Sequence, residues 1–494
     1  MGKWHWPGPA GHAETGGTLP PSREVSPMAV RIRRTFSSAT LLLCGLSLCP
    51  AVAHADDTIG SDGYVHVAPN GVVLGVDPYY PTDGNGGYDV AGYTVDLSYD
   101  PAARFLNART VVSATTTQRL SRFNLDLRGL TVTSVRVDGV RASFVRRGEH
   151  ELVITPAGTL AADTSFTVEV LYCGRPQPEH APRGVTGWRT TWSGGVLAAG
   201  APHSASTWFP VNETSADKAT FHLNARVPAG WSVVSNGVRK SVHEGLHAWE
   251  EDVPITPSAT MIAIDRFSIR ESTLPGGIAV LDAFAPGAGT APARHLPEML
   301  EFLNGKLGPY PLPVTGGVYL PDRLAYSHPS QGRPVHGAAA GQSALVQALA
   351  SQWWGNQLAI KMGKDQPMVE SFARYVAWLW EESRGGPSVE QRYQDALRQA
   401  GTDIRFWGRK LADPGVGREF SVTDKGVLMV HALRKHIGDE KFFTVLREYP
   451  AIAVLLNQGW YDWELYTAAV ADQDLTAFHE AWVHGTTLPP AELR

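Results

Sequence analysis

The hydrophobic pattern of the chain changes once, near residue 268, and this change restricts the fold more than any other feature. From Tyr88 to about Phe267, short segments alternate apolar with polar residues or are rich in β-branched residues, as in YTVDLSYD, RFNLDLRGL, SFTVEVLY and TMIAIDRFSI. Turn residues such as Asp138-Gly139 separate these segments. A period of two residues predicts strands, so we expect an all-β domain, a large sandwich or saddle of antiparallel sheets.

Beyond residue 268 the apolar residues recur at helical spacing. The segments ARHLPEMLEFLNGKLG, SALVQALASQWWGNQLA, ESFARYVAWLWEESR and VEQRYQDALRQAG each predict a helix, and further helical segments follow. The chain is therefore predicted to be α+β, with an N-terminal β domain over 56–267 and a helix-rich domain over 268–494. A cleft is expected between them, because ligand sites often lie between domains.

The first 55 residues resemble an export signal rather than part of a fold. A stretch rich in Gly, Pro and Ser precedes Met28, and the regions of a secretory signal peptide follow it. These regions are a basic stretch with Arg31, Arg33 and Arg34, an apolar run over Ala39–Leu48, and the small-x-small tripeptide Ala53-His54-Ala55. We predict that residues 28–55 direct export, by the general or the twin-arginine route, and that the mature chain begins near Asp56. The alternative is a buried N-terminal helix.

Charge and cysteine usage narrow the class of protein. The 494 residues carry a formal net charge of −5 with acidic and basic residues interspersed, which argues against a nucleic-acid-binding protein. No later segment reaches the length of apolar sequence that a membrane span needs, so none is predicted in the mature chain. Only Cys173 follows the signal segment, so no intrachain disulfide is expected. Its setting, VEVLYCG, favours a small strand residue over a nucleophile.

Four separated stretches share the frame of one family. QWWGN at 352–356 is followed by VESFA at 369–373 and TDKG at 423–426, and STWFPVNETSADKATF lies upstream at 206–221. Together they resemble the aminopeptidase N family of gluzincin zinc metallopeptidases. DPYYPTDGNGGYDVAGYTVDLSYDP also resembles the start of a secreted actinobacterial member, so the resemblance runs from about Asp77 to the end. It implies a β saddle domain followed by a thermolysin-like domain with a short helical C-terminal end.

The resemblance also implies where a metal site would lie. Members of the family carry H-E-x-x-H on a helix, in which two histidines bind zinc and the glutamate serves as general base. The histidine positions correspond to Gln347 and Ser351, and the glutamate position corresponds to Ala348. The third ligand of the family corresponds to Glu370, and its transition-state-stabilising tyrosine to Thr423. Only the third ligand position thus keeps a metal-binding side chain.

The family's contact with the N-terminal amine of the substrate is altered as well. Its glutamate corresponds to Ser327, within Tyr326-Ser327-His328-Pro329, and a second acidic or amide position corresponds to Ala201. We expect Ala201, Ser327 and His328 to line the substrate cleft. An amide and a hydroxyl are poor zinc ligands beside imidazole, and an alanine accepts no proton, so no zinc cofactor is expected.

The chain is thus predicted to be an exported relative of zinc aminopeptidases that is non-catalytic and binds or regulates a peptide or protein ligand. No pattern specifies an oligomeric state. The alternative is an active hydrolase that uses Glu370 with non-standard ligands such as His328. A relocated metal site that adds His203 and His336 lacks the sequence spacing typical of ligands. A serine hydrolase is disfavoured because the chain has no G-x-S-x-G turn.

Overall fold

A computed structural model describes residues 66–67, 73–74, 77–181, 183–453 and 457–494. The predicted signal peptide over 28–55 and the predicted mature start lie outside these residues. Among the described residues, none of the helices is long and apolar enough to cross a membrane.

Strands fill the first half and helices most of the second, so the predicted α+β class is confirmed. The strands are β1 (His66–Val67), β2 (Val73–Leu74), β3 (Tyr88–Asp100), β4 (Phe105–Thr116), β5 (Phe123–Asp126), β6 (Thr131–Val137), β7 (Val140–Arg141), β8 (Ser143–Arg147), β9 (Glu151–Thr155), β10 (Ser165–Gly174), β11 (Pro178–Ala181), β12 (Gly184–Thr190), β13 (Val196–Ala199), β14 (Ala219–Arg226), β15 (Ser232–Ser235), β16 (Val238–His243), β17 (Leu246–Ile255), β18 (Ile262–Asp265), β19 (Ser268–Thr273), β20 (Ala279–Phe284), β21 (Val314–Tyr319), β22 (Val335–His336), β23 (Ala359–Ile360) and β24 (Asn457–Gln458). The helices are α1 (Leu296–Leu307), α2 (Gln342–Ala350), α3 (Gln366–Ser383), α4 (Val389–Ala400), α5 (Ile404–Trp407), α6 (Thr423–Ile437), α7 (Asp439–Ile452), α8 (Trp460–Ala471) and α9 (Thr476–Trp482).

The largest sheet has eight strands in the order β16-β17-β14-β3-β4-β10-β6-β7. Its pairs are antiparallel except for β14 with β3, which run parallel. Tyr93, Val95 and Leu97 of β3 are buried, while Thr94 and Asp96 between them are half-buried. This alternation places one apolar face of the sheet against a core, as the sequence pattern predicts.

Strands β1 and β2 form a two-stranded sheet, and two further sheets pack with the eight-stranded sheet. One has the order β11-β12-β13-β18-β15, and the other pairs β5, β9 and β8. Trp208 and Phe209 of the WFP stretch are fully buried in the core that these sheets share with the eight-stranded sheet.

The helical half opens on more strands than its sequence pattern indicates. A sheet in the order β19-β20-β21-β22 precedes α2, and its pairs β20–β21 and β21–β22 are parallel. Strand β21 is buried along its whole length, and a fully buried strand reads as a continuous apolar run rather than an alternation.

Helix α3 lies at the centre of the helical half, packed between α2 and α6. It buries Phe372, Tyr375 and Val376 in an apolar core that also holds Trp354 and Trp463. Because α2 and α3 pack together, residues near their ends can share one cavity.

Candidate functional site

A cavity of about 80 Å³ that is partly open to solvent lies where the end of α2 faces the start of α3. It is lined by Arg183, Gly200, Ala201, Ser215, Thr256, Ser258, Ala259, Tyr326, His328, Pro329, Ser330, Ser351, Trp354, Gly355, Asn356, Ala359, Ile360, Gln366, Val369 and Glu370. Of the site residues singled out in the sequence, Ala201, His328, Ser351 and Glu370 line it. Gln347, Ala348, Ser327 and Thr423 do not line it.

Glu370 makes an ion pair across the cavity. Its Oε1 lies 3.1 Å from Nη1 of Arg183, and Nε2 of Gln366, one turn earlier on α3, donates to the same oxygen at 3.3 Å. The side chains of Arg183 and Glu370 are 23% and 13% exposed, so solvent screens the pair only in part. The family's remaining ligand carboxylate thus already has a cationic partner.

The Arg183 guanidinium is also held between two aromatic rings. Its Cζ lies 3.8 Å from the centroid of the Tyr326 ring and 4.4 Å from that of the Phe420 ring. Each contact is worth roughly 0.5–2 kcal/mol, depending on how far the cation is desolvated. Stacking on both faces leaves the edges of the guanidinium free to donate in its own plane, towards Glu370 and the cavity.

Sequence reasoning missed Arg183. It lies 187 residues before Glu370, next to the start of β12, in a stretch that belongs to none of the family's motifs. An arginine in a loop is a common surface residue, so nothing in the local sequence marks Arg183 as part of a functional site.

The helix that the resemblance assigns to metal binding is shorter than predicted. The predicted helix runs to Ala359, whereas α2 ends at Ala350. Beyond it, the N–H groups of Asn356 and Leu358 bond to carbonyls five residues earlier, at 2.9 and 3.0 Å, which widens the turn. Gly355 has a φ of +144°, a conformation that favours glycine and ends regular helix.

Ser351 and Gln347 are bonded to each other through the helix end. The Ser351 hydroxyl donates to the Gln347 carbonyl at 3.0 Å, a local bond that serines at helix ends often form. Ala348 is buried and offers only a methyl group. The two positions matched to the family's histidines therefore present a hydroxyl that donates within the helix and a neutral amide.

The QWWGN stretch holds the wall of the cavity in place. Oε1 of the fully buried Gln352 accepts from the Gly332 N–H at 2.9 Å, and Asn356 Nδ2 donates to the Pro329 carbonyl at 2.8 Å. The ring of Trp354 stacks on Phe372 of α3, with ring centroids 3.9 Å apart. These residues pack rather than react, and Trp354 also lines the cavity.

Two motifs far apart in sequence meet at this point. Nζ of Lys218, in DKATF, donates to the carbonyls of Asn356 and Gln357, at 2.8 Å each. Burial lowers the pKa of Lys218 to about 8. The contact joins β14, the strand that follows Lys218, to the end of QWWGN.

The TDKG frame is built into the helix packing. Thr423 begins α6, and its hydroxyl donates to the Phe420 carbonyl at 3.0 Å. Nζ of the buried Lys425 donates to the carbonyls of Arg409 and Gly485, at 2.7 and 2.8 Å. Lys425 therefore has a structural role.

The predicted amine-contact positions differ in their surroundings. The Ser327 hydroxyl lies 2.9 Å from Nδ1 of His336, away from the cavity lining. His328 lines the cavity, is buried, and has no hydrogen-bond partner for Nδ1 among the described residues. Burial, with the positive charges of Arg189 and Arg183 nearby, lowers the pKa of His328 to about 3, so its imidazole is neutral near pH 7.

These side chains do not suit the zinc ion that the resemblance implies. Zinc in proteins is held by thiolate, imidazole or carboxylate groups that offer it a free lone pair. Of the three matched positions only Glu370 has such a group, and Arg183 and Gln366 both donate to its Oε1. Arg183 also puts a positive charge beside the position where the ion would have to bind.

Comparisons with known proteins agree with the fold and the motif frame. No protein-family model matches the chain. Aminopeptidase N of Lactococcus lactis subsp. lactis is 24% identical over 326 residues, which are 58% of this chain and 38% of that protein. The chain thus spans about two fifths of the length of this curated relative.

Solved structures match over more of their length. An M1 zinc metallopeptidase mutant from Deinococcus radiodurans, bound to a Tyr-Ser-Ala substrate, is similar with a TM-score of 0.78 and 25% identity, over 84% of this chain and 99% of that chain. The same enzyme without the mutation gives a TM-score of 0.77 and 24% identity, over 84% and 98% of the two chains. In its fold and its motif frame, the chain is thus similar to aminopeptidase N and to the M1 zinc metallopeptidases.

Proposed function

We propose that this chain is a non-catalytic relative of the zinc aminopeptidases that binds peptides. The observation that carries the proposal is the Arg183–Glu370 ion pair, which supplies Glu370 with a positive charge where the family's resemblance implies zinc. An arginine cannot act as a Lewis acid on a carbonyl or lower the pKa of a bound water as zinc does.

The other positions support the same conclusion. A zinc peptidase needs a base to take a proton from the attacking water, and Ala348 at the matched position has none. Thr423 at the matched tyrosine position is hydrogen-bonded to Phe420 and does not line the cavity. The contacts of Gln352, Asn356 and Lys218 that shape the cavity do not depend on a metal.

Peptide binding is proposed from the retained cavity and from the relative that is bound to a Tyr-Ser-Ala substrate. Arg183 offers a cationic group and Glu370 an anionic group beside it, which suits a ligand that carries both a carboxylate and an amine. The signal-peptide pattern over 28–55 supports a role outside the cytoplasm.

The peptide proposal is tested by calorimetric titration of the purified chain with Tyr-Ser-Ala in the presence of a chelator. We expect saturable binding that Ser258→Trp abolishes, because Ser258 lines the cavity and an indole would fill it. Ser241→Trp, at an exposed position on β16, is the matched control and should bind as the wild type does. Absence of binding to the wild type, or equal binding by both variants, would refute the peptide proposal.

A second function, metal-assisted hydrolysis, is favoured by one observation. His328 and Glu370 line the same cavity, and Nδ1 of the neutral His328 has no hydrogen-bond partner among the described residues. A metal ion could bind Glu370 there only after the guanidinium of Arg183 had moved away from the carboxylate. Turnover that a chelator abolishes distinguishes this function from peptide binding alone.

A further inference from the structure

A second group of ionisable side chains lies inside the β-rich half, and none of them lines the cavity at Glu370. Asp126 ends β5, Glu151 begins β9, and the two strands pair so that these residues stand directly opposite each other. His150 precedes Glu151. Asp126, His150 and Glu151 are 0%, 6% and 7% exposed, and one ligand atom from each lies within 4.8 Å of the other two.

Several polar atoms of this group have no hydrogen-bond partner among the residues that the structure describes. They are Asp126 Oδ1, Glu151 Oε1 and His150 Nδ1. A buried acceptor without a partner costs about 1–3 kcal/mol, and more when it is charged. Two facing carboxylates also repel each other in a low-dielectric interior, so this arrangement calls for a positive charge.

A neighbouring amide points to the same conclusion independently. Asn124 lies two residues before Asp126 on β5, so both side chains lie on the same face of the strand. It is 1% exposed, and its Nδ2 donates to Glu151 Oε2 at 2.8 Å. Its own oxygen, Oδ1, has no hydrogen-bond partner in the described part of the chain. A neutral acceptor left over beside two carboxylates is what an oxygen-coordinated cation would use.

Arg146 and Arg128 lie near this group, and the charge of Arg146 acts on both Glu151 and Asp126. Arg146 donates to the Leu127 carbonyl, and Arg128 pairs with Asp83 at 3.4 Å. His150 Nε2 lies 3.2 Å from Asp83 and 3.8 Å from Asp126.

We propose that Asp126, His150 and Glu151 bind one divalent cation, with Asn124 Oδ1 as a further oxygen donor. Two carboxylates and an imidazole are a ligand set that Zn²⁺ and Mn²⁺ accept, and carboxylate and amide oxygens suit Ca²⁺. Metal–ligand bonds of roughly 2.0–2.4 Å keep the ligand atoms of one ion within about 4.8 Å of one another. One ligand atom from each of the three residues meets this limit. The ion would fasten β5 to β9 inside the core and has no open path to a peptide substrate.

The test is thermal unfolding of chelator-stripped protein with Zn²⁺, Mn²⁺ or Ca²⁺ added singly. At least one ion should raise the unfolding temperature by about 3 °C at a hundred times its dissociation constant. The cation should no longer raise the unfolding temperature of Glu151→Gln, but it should still raise that of Glu370→Gln. This comparison distinguishes binding at Glu151 from binding in the cavity at Glu370. No rise with any of the three ions, or a full rise in Glu151→Gln, would overturn the proposal.

A second variant covers the case in which Glu151→Gln does not fold. Asn124→Asp adds a third carboxylate to the ligand set. Repulsion among the carboxylates should lower the unfolding temperature of the metal-free protein, and the added charge should lower the dissociation constant of the cation at least about tenfold. Competition with a metal indicator, which also gives the stoichiometry, measures this change. Weaker or unchanged binding in Asn124→Asp, or a wild-type stoichiometry far from one per chain, would contradict the assignment.

Discussion

At the scale of single residues, the contact between Arg183 and Glu370 determines which ligands the cavity can take. Glu370 keeps the carboxylate of a metal ligand, but the guanidinium of Arg183 is paired with its Oε1, where a metal ion would bind. Family motifs predicted Glu370 from the sequence, because VESFA is a local pattern. They could not predict Arg183, because its role arises from a contact between segments 187 residues apart.

Arg183→Leu is expected to destabilise the fold by about 1–3 kcal/mol, because it leaves a half-buried carboxylate without its cation and removes stacking on Tyr326 and Phe420. Glu370→Gln should recover part of this loss in the Arg183→Leu background, and a double-mutant cycle by urea unfolding measures the coupling. Arg175→Leu, which removes an exposed arginine over Phe105, is the matched control and should cost less than 1 kcal/mol. A coupling energy near zero would show that the pair does not interact.

His336 gives the chain a specific dependence on pH. Burial lowers its folded-state pKa to about 3, below the unfolded value of about 6.5. Between these values the unfolded chain binds more protons, so this contribution to stability is present above about pH 6.5 and is lost as pH falls towards 3.

We therefore expect His336→Gln to lose less stability than the wild type between pH 7 and pH 5, by about 2 kcal/mol. Urea unfolding at the two pH values measures the difference. His243→Gln changes an exposed histidine and should follow the wild type. Equal losses for His336→Gln and the wild type would mean that His336 titrates normally in the folded chain.

At the scale of elements, the crossing of α3 and α6 explains why the TDKG frame keeps its glycine. A Cβ added at Gly426 would lie 1.8 Å from Ser371 Oγ and 2.8 Å from Ser371 Cβ. Gly426→Ala is therefore expected to destabilise by about 1–3 kcal/mol through overpacking. In α1, an added Cβ at Gly305 meets nothing within 4 Å, so Gly305→Ala should stabilise by about 0.5–1 kcal/mol. Thermal unfolding of the two variants measures these changes. A shift of the unfolding temperature in the same direction for both variants would contradict the packing argument.

The elements also show where sequence patterns mislead. Periodicity predicted helix through QWWGN, because its apolar residues continue the spacing of α2. The structure ends α2 at Ala350, since Gln352 and Asn356 use their side chains to hold the 329–332 loop. Those bonds join distant segments, so their competition with the helix is invisible in local sequence. Strand β21 was missed for a related reason, because burial on both faces removes the alternation.

At the scale of the whole molecule, the retained motifs converge on the walls of one cavity. Lys218 of the β-rich half bonds to the end of QWWGN, and QWWGN bonds to the loop that carries His328 and Pro329. A scaffold built from such contacts can persist when reactive side chains are replaced, because its stability comes from packing and hydrogen bonds. This is why the family frame could be predicted from sequence while the chemistry of the cavity required the structure.

The most direct measurement is hydrolysis of aminoacyl anilides by the purified chain in excess Zn²⁺, before and after a chelator is added. A non-catalytic cavity predicts the same background rate in both conditions, and the same rate again in Glu370→Ala. Cation binding at Asp126 and Glu151 would not change this outcome, since that site is buried in the β-rich core. Chelator-sensitive turnover by the wild type that disappears in Glu370→Ala would contradict the account.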